Sequence, residues 1–353
     1  MSTTSLLPGI TQNHVKTERL EIAYLVAGTG DTPIVLVHGN TSSALFFQDF
    51  MLALAADNRY TVYAPDMRGY GDTEVLLIDA TRGLRDFSDD LASLAHALNL
   101  NSFHLFGWSM GGNVAMQYAI DYAGSARTLT LQSPGSPFGF GGARGPEGTP
   151  IWSDFAGSGG GTANPDFVQR LGQGDRGSEQ FSPRTVMNTF YFKPPFRPAP
   201  DREEIYLTSV LSSKVTQGIY PGDMTASENW PNVAPGTQGP NNALSPKYLN
   251  QAALAAINPK PPILWIRGAD DQIVSDTSLF DFGFLGQLGA VPGWPGADIY
   301  PPQPMVTQLR TVFDRYQANG GHYREVVLLD CGHSPHVEKQ EDVLKLFSEF
   351  VKS

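Results

Sequence analysis

The sequence predicts an α/β fold with a mostly parallel central sheet, helices on both faces and an inserted cap. Strand-like apolar runs alternate with helical patterns along most of the 353 residues, which is typical of a parallel sheet. The run over residues 33–37 is continuously apolar, as expected for a strand that is buried on both faces. The alternation stops after Ser133 and returns near residue 259, which indicates an insertion between two strands.

The elements before this insertion follow from the spacing of the apolar residues. Short apolar runs bounded by turn residues predict strands, and apolar stripes at three- and four-residue spacing predict helices. In chain order we expect strands near Val15 and over residues 20–27 and 33–37, a helix ending near Ala56, a strand over 61–64, a helix over 86–99, a strand over 103–106, a helix over 113–122 and a strand over 128–131.

The elements after the insertion complete the same sheet. A buried strand is expected over residues 262–266 and another over 325–329, with a helix over 306–318 between them. A closing helix follows, because the last apolar residues recur at helical spacing. They are Val343, Leu346, Phe347 and Phe350.

These patterns divide the chain into a core and two insertions. The core comprises residues 1–134 and 259–353, and the first insertion, residues 135–258, is rich in Gly, Pro and aromatic residues. Because so long an irregular stretch is unusual unless it covers a site, we expect it to form a cap or lid, with a flexible hinge or loop at residues 158–161. A second irregular stretch at about 275–304, the second insertion, is expected to add another wall to the pocket.

Composition excludes several classes of function. The chain is 41% hydrophobic and 17% charged, as expected for a packed core, and its net charge of −11 comes without a cluster of Lys or Arg. Nucleic acid and anionic membrane surfaces are therefore not expected as partners. The sequence contains a single cysteine, Cys331, which excludes an intramolecular disulfide and a cysteine-rich metal site.

The sequence predicts neither a signal peptide nor a membrane span. The first 13 residues show no basic patch followed by an apolar stretch, so no signal peptide is predicted. No run of about 18 apolar residues exists, so no membrane span is predicted. We expect a cytoplasmic protein, and the sequence leaves the oligomeric state open.

The pentapeptide Gly107-Trp108-Ser109-Met110-Gly111 carries the strongest chemical signal. It matches the G-x-S-x-G nucleophile elbow, and it lies between a predicted strand and a predicted helix, as that motif requires. Glycines at both ends allow close backbone approach, and the N-terminus of the helix provides unpaired N–H groups. Ser109 is therefore the candidate nucleophile.

Two further polar residues follow predicted strands. A serine hydroxyl needs a base to accept its proton, and the base needs an acid that orients it. Asp271 and His333 both follow the carboxyl ends of predicted strands, where ligands bind in open α/β sheets. The chain order Ser109, Asp271, His333 is the order expected for this fold.

Together these motifs make the chain resemble the α/β-hydrolase superfamily, and in particular its capped esterases, C–C hydrolases and haloperoxidase-like enzymes. The resemblance covers about residues 20–134 and 259–353. It rests on His38-Gly39 and on residues 66–71 (DMRGYG), 107–112 (GWSMGG), 268–271 (GADD) and 332–338 (GHSPHVE).

The resemblance implies roles for several residues. The family pattern G-x-x-D favours Asp271 as the triad acid and leaves Asp270 as the alternative. The backbone N–H groups of Asn40 and Met110 are expected to form the oxyanion hole, and Trp108 is expected to contact substrate.

The resemblance also implies that some polar residues take no part in the chemistry. His38 is expected to be structural, as are Asp66 and Arg68. His336 is expected to be a surface or helix-start residue that points away from the site.

The function that follows is hydrolysis of a carboxylic ester or lactone of an apolar small molecule through an acyl-enzyme. A C–C bond hydrolase with the same triad is the first alternative, and a receptor-like ligand-binding protein with little turnover is the second. Relatives that open epoxides or remove halogens place Asp where this chain has Ser109. Neither a metal-ligand constellation nor a dinucleotide fingerprint is present in the sequence, so we expect a reaction without metal or cofactor.

Overall fold

The computed structural model describes residues 6–352. The first five residues and Ser353 belong to the predicted core segments, and the first five also belong to the stretch in which no signal peptide was predicted. These six positions lie outside the described residues.

Eight strands form the central sheet, which confirms the predicted mostly parallel α/β architecture. They are β1 (Ile10–Lys16), β2 (Glu21–Gly28), β3 (Thr32–Val37), β4 (Tyr60–Pro65), β5 (Phe103–Trp108), β6 (Ala126–Gln132), β7 (Ile263–Gly268) and β8 (Tyr323–Leu328). Their spatial order is β1-β2-β4-β3-β5-β6-β7-β8. The pairs β1–β2 and β2–β4 are antiparallel, and the other neighbouring pairs are parallel.

The helices of residues 6–352 follow in chain order. They are α1 (Gln48–Ala55), α2 (Arg85–Ala97), α3 (Met110–Asp121), α4 (Pro165–Gly172), α5 (Pro183–Val186), α6 (Pro200–Leu211), α7 (Pro240–Ala243), α8 (Phe282–Gln287), α9 (Met305–Ala318), α10 (Pro335–Glu338) and α11 (Gln340–Phe350). A 3-10 turn, Ala44–Phe47, leads into α1, and a π-helical turn, Met187–Tyr191, follows α5.

Hydrophobic residues cover both faces of the sheet. Strand β3 shows the alternation that a two-sided sheet requires, because Val35 and Val37 belong to one buried cluster and Ile34 and Leu36 to another. Residues of α2, α3 and α9 pack in the first cluster, and residues of α1 and α11 pack in the second. The second cluster also contains side chains of the first insertion, among them Phe167, Tyr191 and Tyr206.

The first insertion consists of short elements between β6 and β7. Besides α4 to α7 it contains two small antiparallel ladders, one pairing Ala143–Arg144 with Thr149–Pro150 and one pairing Met224–Ala226 with Val233–Pro235. The predicted hinge or loop at residues 158–161 is a loop that leads into a 3-10 turn, Gly160–Thr162, and Ser158, Gly159 and Gly160 are buried. A Cβ on Gly160 would lie 2.6 Å from the carbonyl oxygen of Gly222. These glycines therefore serve close backbone packing and not flexibility.

The second insertion is closed at its base by one carboxylate. Asp276 Oδ1 accepts hydrogen bonds from the backbone N–H groups of Val306 (2.8 Å) and Thr307 (3.2 Å), and Asp276 Oδ2 accepts one from the Thr307 hydroxyl (2.7 Å). The residues between these two points therefore form a long loop with adjacent ends, and α8 lies within it.

The two insertions contact each other directly. The indole Nε1 of Trp230 donates to the carbonyl oxygen of Pro292 (2.9 Å), and the hydroxyl of Tyr300 donates to the carbonyl oxygen of Ala156 (3.2 Å). The rings of Phe190 and Phe280 also meet edge-on, with centroids 5.1 Å apart. None of the helices in residues 6–352 is long and apolar enough to cross a membrane.

Asp66 and Arg68 have structural positions, in agreement with the sequence-based expectation. Both oxygens of Asp66 accept backbone N–H groups, from Ala44 (2.8 Å) and Asp72 (3.0 Å). The buried guanidinium of Arg68 binds both carboxylate oxygens of Asp90 at 2.6 and 2.7 Å. These bonds fix the loop after β4 and leave neither group free for chemistry.

Candidate active site

Ser109 lies at the junction of β5 and α3, one residue after the strand and one before the helix. Its backbone has φ 56° and ψ −126°, a conformation that non-glycine residues rarely adopt. A Cβ on Gly107 would lie 2.2 Å from the carbonyl oxygen of Gly111, and a Cβ on Gly111 would lie 2.2 Å from that of Val37. The glycines at both ends therefore allow the sharp turn that presents the Ser109 hydroxyl.

Asp271 and His333 form a buried pair. Asp271 Oδ2 accepts a hydrogen bond from His333 Nδ1 at 2.8 Å, and each side chain is 2% exposed. Asp271 Oδ1 accepts the backbone N–H groups of Ile273 (2.8 Å) and Val274 (2.9 Å). Backbone N–H groups thus hold one oxygen of the carboxylate. The other oxygen fixes the orientation of the His333 imidazole, whose Nε2 is the nitrogen that does not contact Asp271.

Asp270, the alternative acid, occupies a different environment. Its side chain is 40% exposed, and its carboxylate pairs with the ammonium group of Lys193 at 3.1 Å. The same ammonium group lies 2.7 Å from Asp330. Of the two neighbouring carboxylates, only Asp271 contacts His333 in this structure.

Trp108 packs against His333. The indole Nε1 donates to the backbone carbonyl oxygen of His333 at 2.8 Å, and the two rings have centroids 5.9 Å apart. Trp108 is only 1% exposed, although it borders the same cavity as Ser109 and His333. The structure shows it holding the His333 loop, and its contact with substrate stays a prediction.

Asn40 and Met110 lie in two segments that adjoin Ser109, the loop after β3 and the start of α3. Met110 is the first residue of α3, so its N–H has no acceptor within the helix. Asn40 follows β3 in a loop that packs tightly on the elbow, since a Cβ on Gly39 would lie 2.9 Å from the Ser109 Cβ. Both residues border the cavity together with Ser109.

His38 is buried and fully hydrogen-bonded. Its Nε2 accepts the backbone N–H of Met67 at 3.0 Å, and its Nδ1 lies 2.8 Å from the carbonyl oxygen of Gly39. Burial lowers the pKa of His38 to about 4, so the ring is neutral at pH 7. These contacts match the expected structural role.

His336 is a helix-start residue, but the surface position considered for it is wrong. It lies in the first turn of α10, is 1% exposed and packs against Trp108 with ring centroids 4.9 Å apart. Burial lowers its pKa to about 3. The ring is turned toward Gln132, whose Nε2 lies 2.6 Å from His336 Nδ1.

Glu338 positions the His333 loop, a role that the sequence does not predict. Its carboxylate accepts the backbone N–H groups of Gly332 (3.0 Å) and Ser334 (3.3 Å), on either side of His333, and that of Lys193 (2.7 Å). Burial raises its pKa. The only available sequence signal was its place at the end of the 332–338 motif.

A cavity of about 680 Å³ lies above Ser109 and His333. Most of its lining is apolar or aromatic, and both insertions contribute to it. Side chains of the first insertion include Phe140, Phe167, Phe181, Phe190, Tyr191 and Tyr220, and those of the second include Leu279, Phe280, Phe282, Leu285 and Val291. The second insertion thus forms a wall of the pocket, as expected.

The sequence of the chain matches a known protein family. The model of the alpha/beta hydrolase family matches residues 34–346. The chain belongs to this family. In this α/β hydrolase the matched region includes Ser109, Asp271 and His333 as well as both insertions.

The curated relatives of this α/β hydrolase align over only part of the chain. Ethanol acetyltransferase 1 of Eremothecium cymbalariae is 36% identical over 90 residues, which are 26% of this chain and 24% of the relative. The 2-hydroxy-6-oxo-6-phenylhexa-2,4-dienoate hydrolase of Comamonas testosteroni is 28% identical over 139 residues, 37% of this chain and 48% of the relative. The chain thus spans less than half the length of either relative.

Solved structures resemble this α/β hydrolase over almost its full length. An esterase from Exiguobacterium antarcticum superposes with a TM-score of 0.61 at 16% identity, and the match covers 97% of this chain and 100% of the esterase. At this identity the likeness shows the fold. Among residues 6–352 no group of three or more His, Cys, Asp or Glu side chains is placed to hold a metal ion.

Proposed function

We propose that this α/β hydrolase cleaves carboxylic esters or lactones of neutral, apolar small molecules through a Ser109-His333-Asp271 triad. The observation that carries the proposal is the buried Asp271–His333 hydrogen bond of 2.8 Å, beside a cavity that Ser109 shares with His333. An acid, a base and a hydroxyl that borders the cavity suit nucleophilic catalysis in this arrangement.

The first half-reaction forms an acyl-enzyme. Ser109 Oγ bonds to the substrate carbonyl carbon while its proton passes to His333 Nε2, and Asp271 stabilises the imidazolium. The carbonyl oxygen becomes an oxyanion, which the N–H groups of Asn40 and Met110 stabilise. The oxyanion then collapses, the bond to the alkoxy oxygen breaks, and this oxygen takes the proton from His333.

The second half-reaction returns the free enzyme. A water molecule bonds to the acyl carbon while His333 takes one of its protons, and the oxyanion forms again in the same place. When it collapses, the bond to Ser109 Oγ breaks and Ser109 regains its proton from His333. The net reaction converts an ester and water to an acid and an alcohol, or a lactone and water to a hydroxy acid.

We also propose that the first insertion acts as a cap, with residues 1–134 and 259–353 as the catalytic core. The support is that aromatic side chains of both insertions border the cavity above Ser109. A cap with aromatic side chains excludes water from the cavity and supplies apolar surface for substrate binding. A cytoplasmic location, a reaction without cofactor and a small-molecule partner stay predictions.

The absence of charge in the cavity supports a neutral substrate. Among the described residues that line it, none is Asp, Glu, Lys or Arg. A buried charge without a partner costs several kcal/mol, so a carboxylate on the substrate would be disfavoured there. This consideration favours the ester or lactone reaction over C–C cleavage of an anionic dienoate, the substrate type named for the Comamonas relative.

Three matched p-nitrophenyl esters test this preference for neutral substrates. We expect kcat/KM for mono-p-nitrophenyl glutarate to be at least about 10²-fold lower than for p-nitrophenyl pentanoate, because its acyl chain ends in a carboxylate. The methyl ester of the same glutarate should recover the activity, since it restores neutrality without reducing size. Equal rates for the charged and neutral chains would contradict a neutral acyl pocket.

Labelling with a fluorophosphonate tests the proposed nucleophile directly. We expect one adduct per chain, located on Ser109 by peptide mass spectrometry, because the reagent traps serines that a neighbouring base activates. The receptor-like alternative predicts little or no labelling. An adduct on a different serine, or no adduct on protein that hydrolyses esters, would refute the proposed mechanism.

A further inference from the structure

The loop after β3 carries backbone strain beside the proposed oxyanion hole. Thr41 has a φ of 44°, which is unfavourable for a β-branched residue and typically costs about 1–3 kcal/mol. Thr41 directly follows Asn40, whose N–H is the proposed donor to the oxyanion. The contacts that hold Thr41 in this conformation therefore also restrain the neighbouring backbone of Asn40.

Tyr191 of the first insertion provides one of these contacts. Its hydroxyl hydrogen-bonds to the hydroxyl of Thr41 and lies 3.2 Å from the Thr41 carbonyl oxygen and 3.4 Å from that of Asn40. Burial raises the pKa of Tyr191 to about 12, so its proton is retained at neutral pH. The ring of Tyr191 also contacts those of Trp108 and His333, with centroids 6.0 and 6.4 Å apart.

Asn241, in α7 of the first insertion, provides a second contact. Its Oδ1 accepts a hydrogen bond from Asn40 Nδ2 at 2.8 Å. Asn40 Oδ1 accepts the Tyr70 hydroxyl at 2.6 Å and the Thr41 backbone N–H at 3.0 Å. The Asn40 side chain is thus held by the core on one side and by the first insertion on the other.

A third contact lies at the end of the same loop. The backbone N–H of Ser43 donates to the hydroxyl of Ser209 in α6 at 2.7 Å, and the hydroxyls of these two serines are also 2.7 Å apart. Residues 40, 41 and 43 are therefore all hydrogen-bonded to the first insertion, through Tyr191, α7 and α6. The insertion does more than cover the cavity, since it also fixes the backbone that faces Ser109.

We propose that the first insertion sets the geometry of the oxyanion hole, with Tyr191 and Asn241 as positioning residues that orient the N–H of Asn40. This inference rests on the proposed hydrolase function. It implies that the chemical step needs the first insertion in its seated position. Displacement of the insertion would release Thr41 from its strained conformation and turn the Asn40 donor away.

Three variants test the inference. Tyr191→Phe removes a single oxygen, Asn241→Ala removes the acceptor for Asn40, and Tyr248→Phe is the control, because its hydroxyl donates to Gly236 at 2.9 Å within the first insertion and Tyr248 does not border the cavity. Loss of a whole oxyanion donor lowers kcat by about 10²–10³-fold, so we expect misorientation to lower kcat by about 10-fold in each positioning variant. KM should stay within about 2-fold, since the loss concerns the transition state.

Two further measurements separate positioning from substrate contact. We expect the same loss of kcat for p-nitrophenyl acetate and p-nitrophenyl octanoate, because the defect lies at the carbonyl oxygen. The inhibition constant of a short alkylboronic acid, which forms a tetrahedral adduct with the serine, should rise by about the same 10-fold factor. Thermal unfolding midpoints close to that of Tyr248→Phe would show that the fold is retained.

Failure of the positioning role and failure of the proposed function give different results in these measurements. Unchanged kcat in both positioning variants, with wild-type hydrolysis intact, overturns the inference and leaves the proposed function standing. A rise in KM for the octanoate alone also overturns it, since it assigns these residues to substrate binding. If the wild type neither hydrolyses esters nor reacts with the fluorophosphonate, the proposed function fails and the inference fails with it.

Discussion

Replacing Ser109 with alanine is expected to lower kcat for p-nitrophenyl butyrate by about 10⁴- to 10⁶-fold. The variant lacks the oxygen that bonds to the acyl carbon, so no acyl-enzyme forms, and only stabilisation of the transition state by the surroundings remains. Because alanine meets the same positive φ of 56° as serine does, the turn should be neither more nor less strained. Steady-state hydrolysis and thermal unfolding, measured on the same preparation, check both expectations.

A matched serine provides the control for this experiment. Ser153 is exposed and lies in the first insertion, so Ser153→Ala should hydrolyse the ester at the wild-type rate. A Ser109→Ala protein that retains more than a tenth of the wild-type kcat would eliminate Ser109 as the nucleophile. If Ser109→Ala instead loses activity and also unfolds at a clearly lower temperature, the loss would be re-examined with Ser109→Cys.

Replacing Asp271 with asparagine should lower kcat by about 10⁴-fold while KM changes little. The Oδ1 position of Asp271 accepts the N–H groups of Ile273 and Val274, so the asparagine carbonyl oxygen should occupy that position. Its NH₂ group would then face His333 Nδ1 and force the proton onto Nε2. In that tautomer His333 cannot accept the proton of Ser109.

Asp270→Asn is the matched control for Asp271→Asn. Asp270 carries the same functional group one position earlier, and its partner is the ammonium group of Lys193. Because exposed ion pairs contribute about 1 kcal/mol or less, we expect kcat within about 3-fold of wild type. A large loss in Asp270→Asn together with normal activity in Asp271→Asn would reverse the assignment of the acid.

The core of the fold could be predicted because its signals are local. Strand β3 is a continuous apolar run, and its observed range, Thr32–Val37, extends the predicted one by a single residue. Helix α3 begins at Met110, three residues before the predicted start, since Gly111 and Gly112 hide the helical pattern in the sequence. Close packing against β3 and β5 overrides the poor helix propensity of these glycines.

The candidates for the triad could be named from the sequence because each follows a predicted strand and carries a recognisable motif. The contacts that support them carry no such signal. Asn40 and Asn241 are 201 residues apart, and Lys193 and Glu338 are 145 apart. Such contacts form only after the first insertion has folded onto the core, so neither periodicity nor spacing reveals them.

The helices and loops within the first insertion also could not be predicted from the sequence. Its helices α5 and α7 have four residues each, too few to show a period. The Ser-Gly-Gly-Gly run at residues 158–161 has the composition of a linker, although it packs against Gly222 and Val233. The same composition suits a flexible linker and a closely packed loop, and the tertiary contacts determine which of the two forms.

The carboxylate of Asp276 separates the second insertion from the rest of the fold. By joining the two ends of the second insertion, it isolates the loop beyond it from Asp271 on one side and from α9 on the other. The entropy cost of closing a loop rises only slowly with its length, so residues can be added or exchanged beyond Asp276 at little cost to the core. Substitutions in this loop can thus reshape one wall of the cavity while the Asp271–His333 pair stays unchanged.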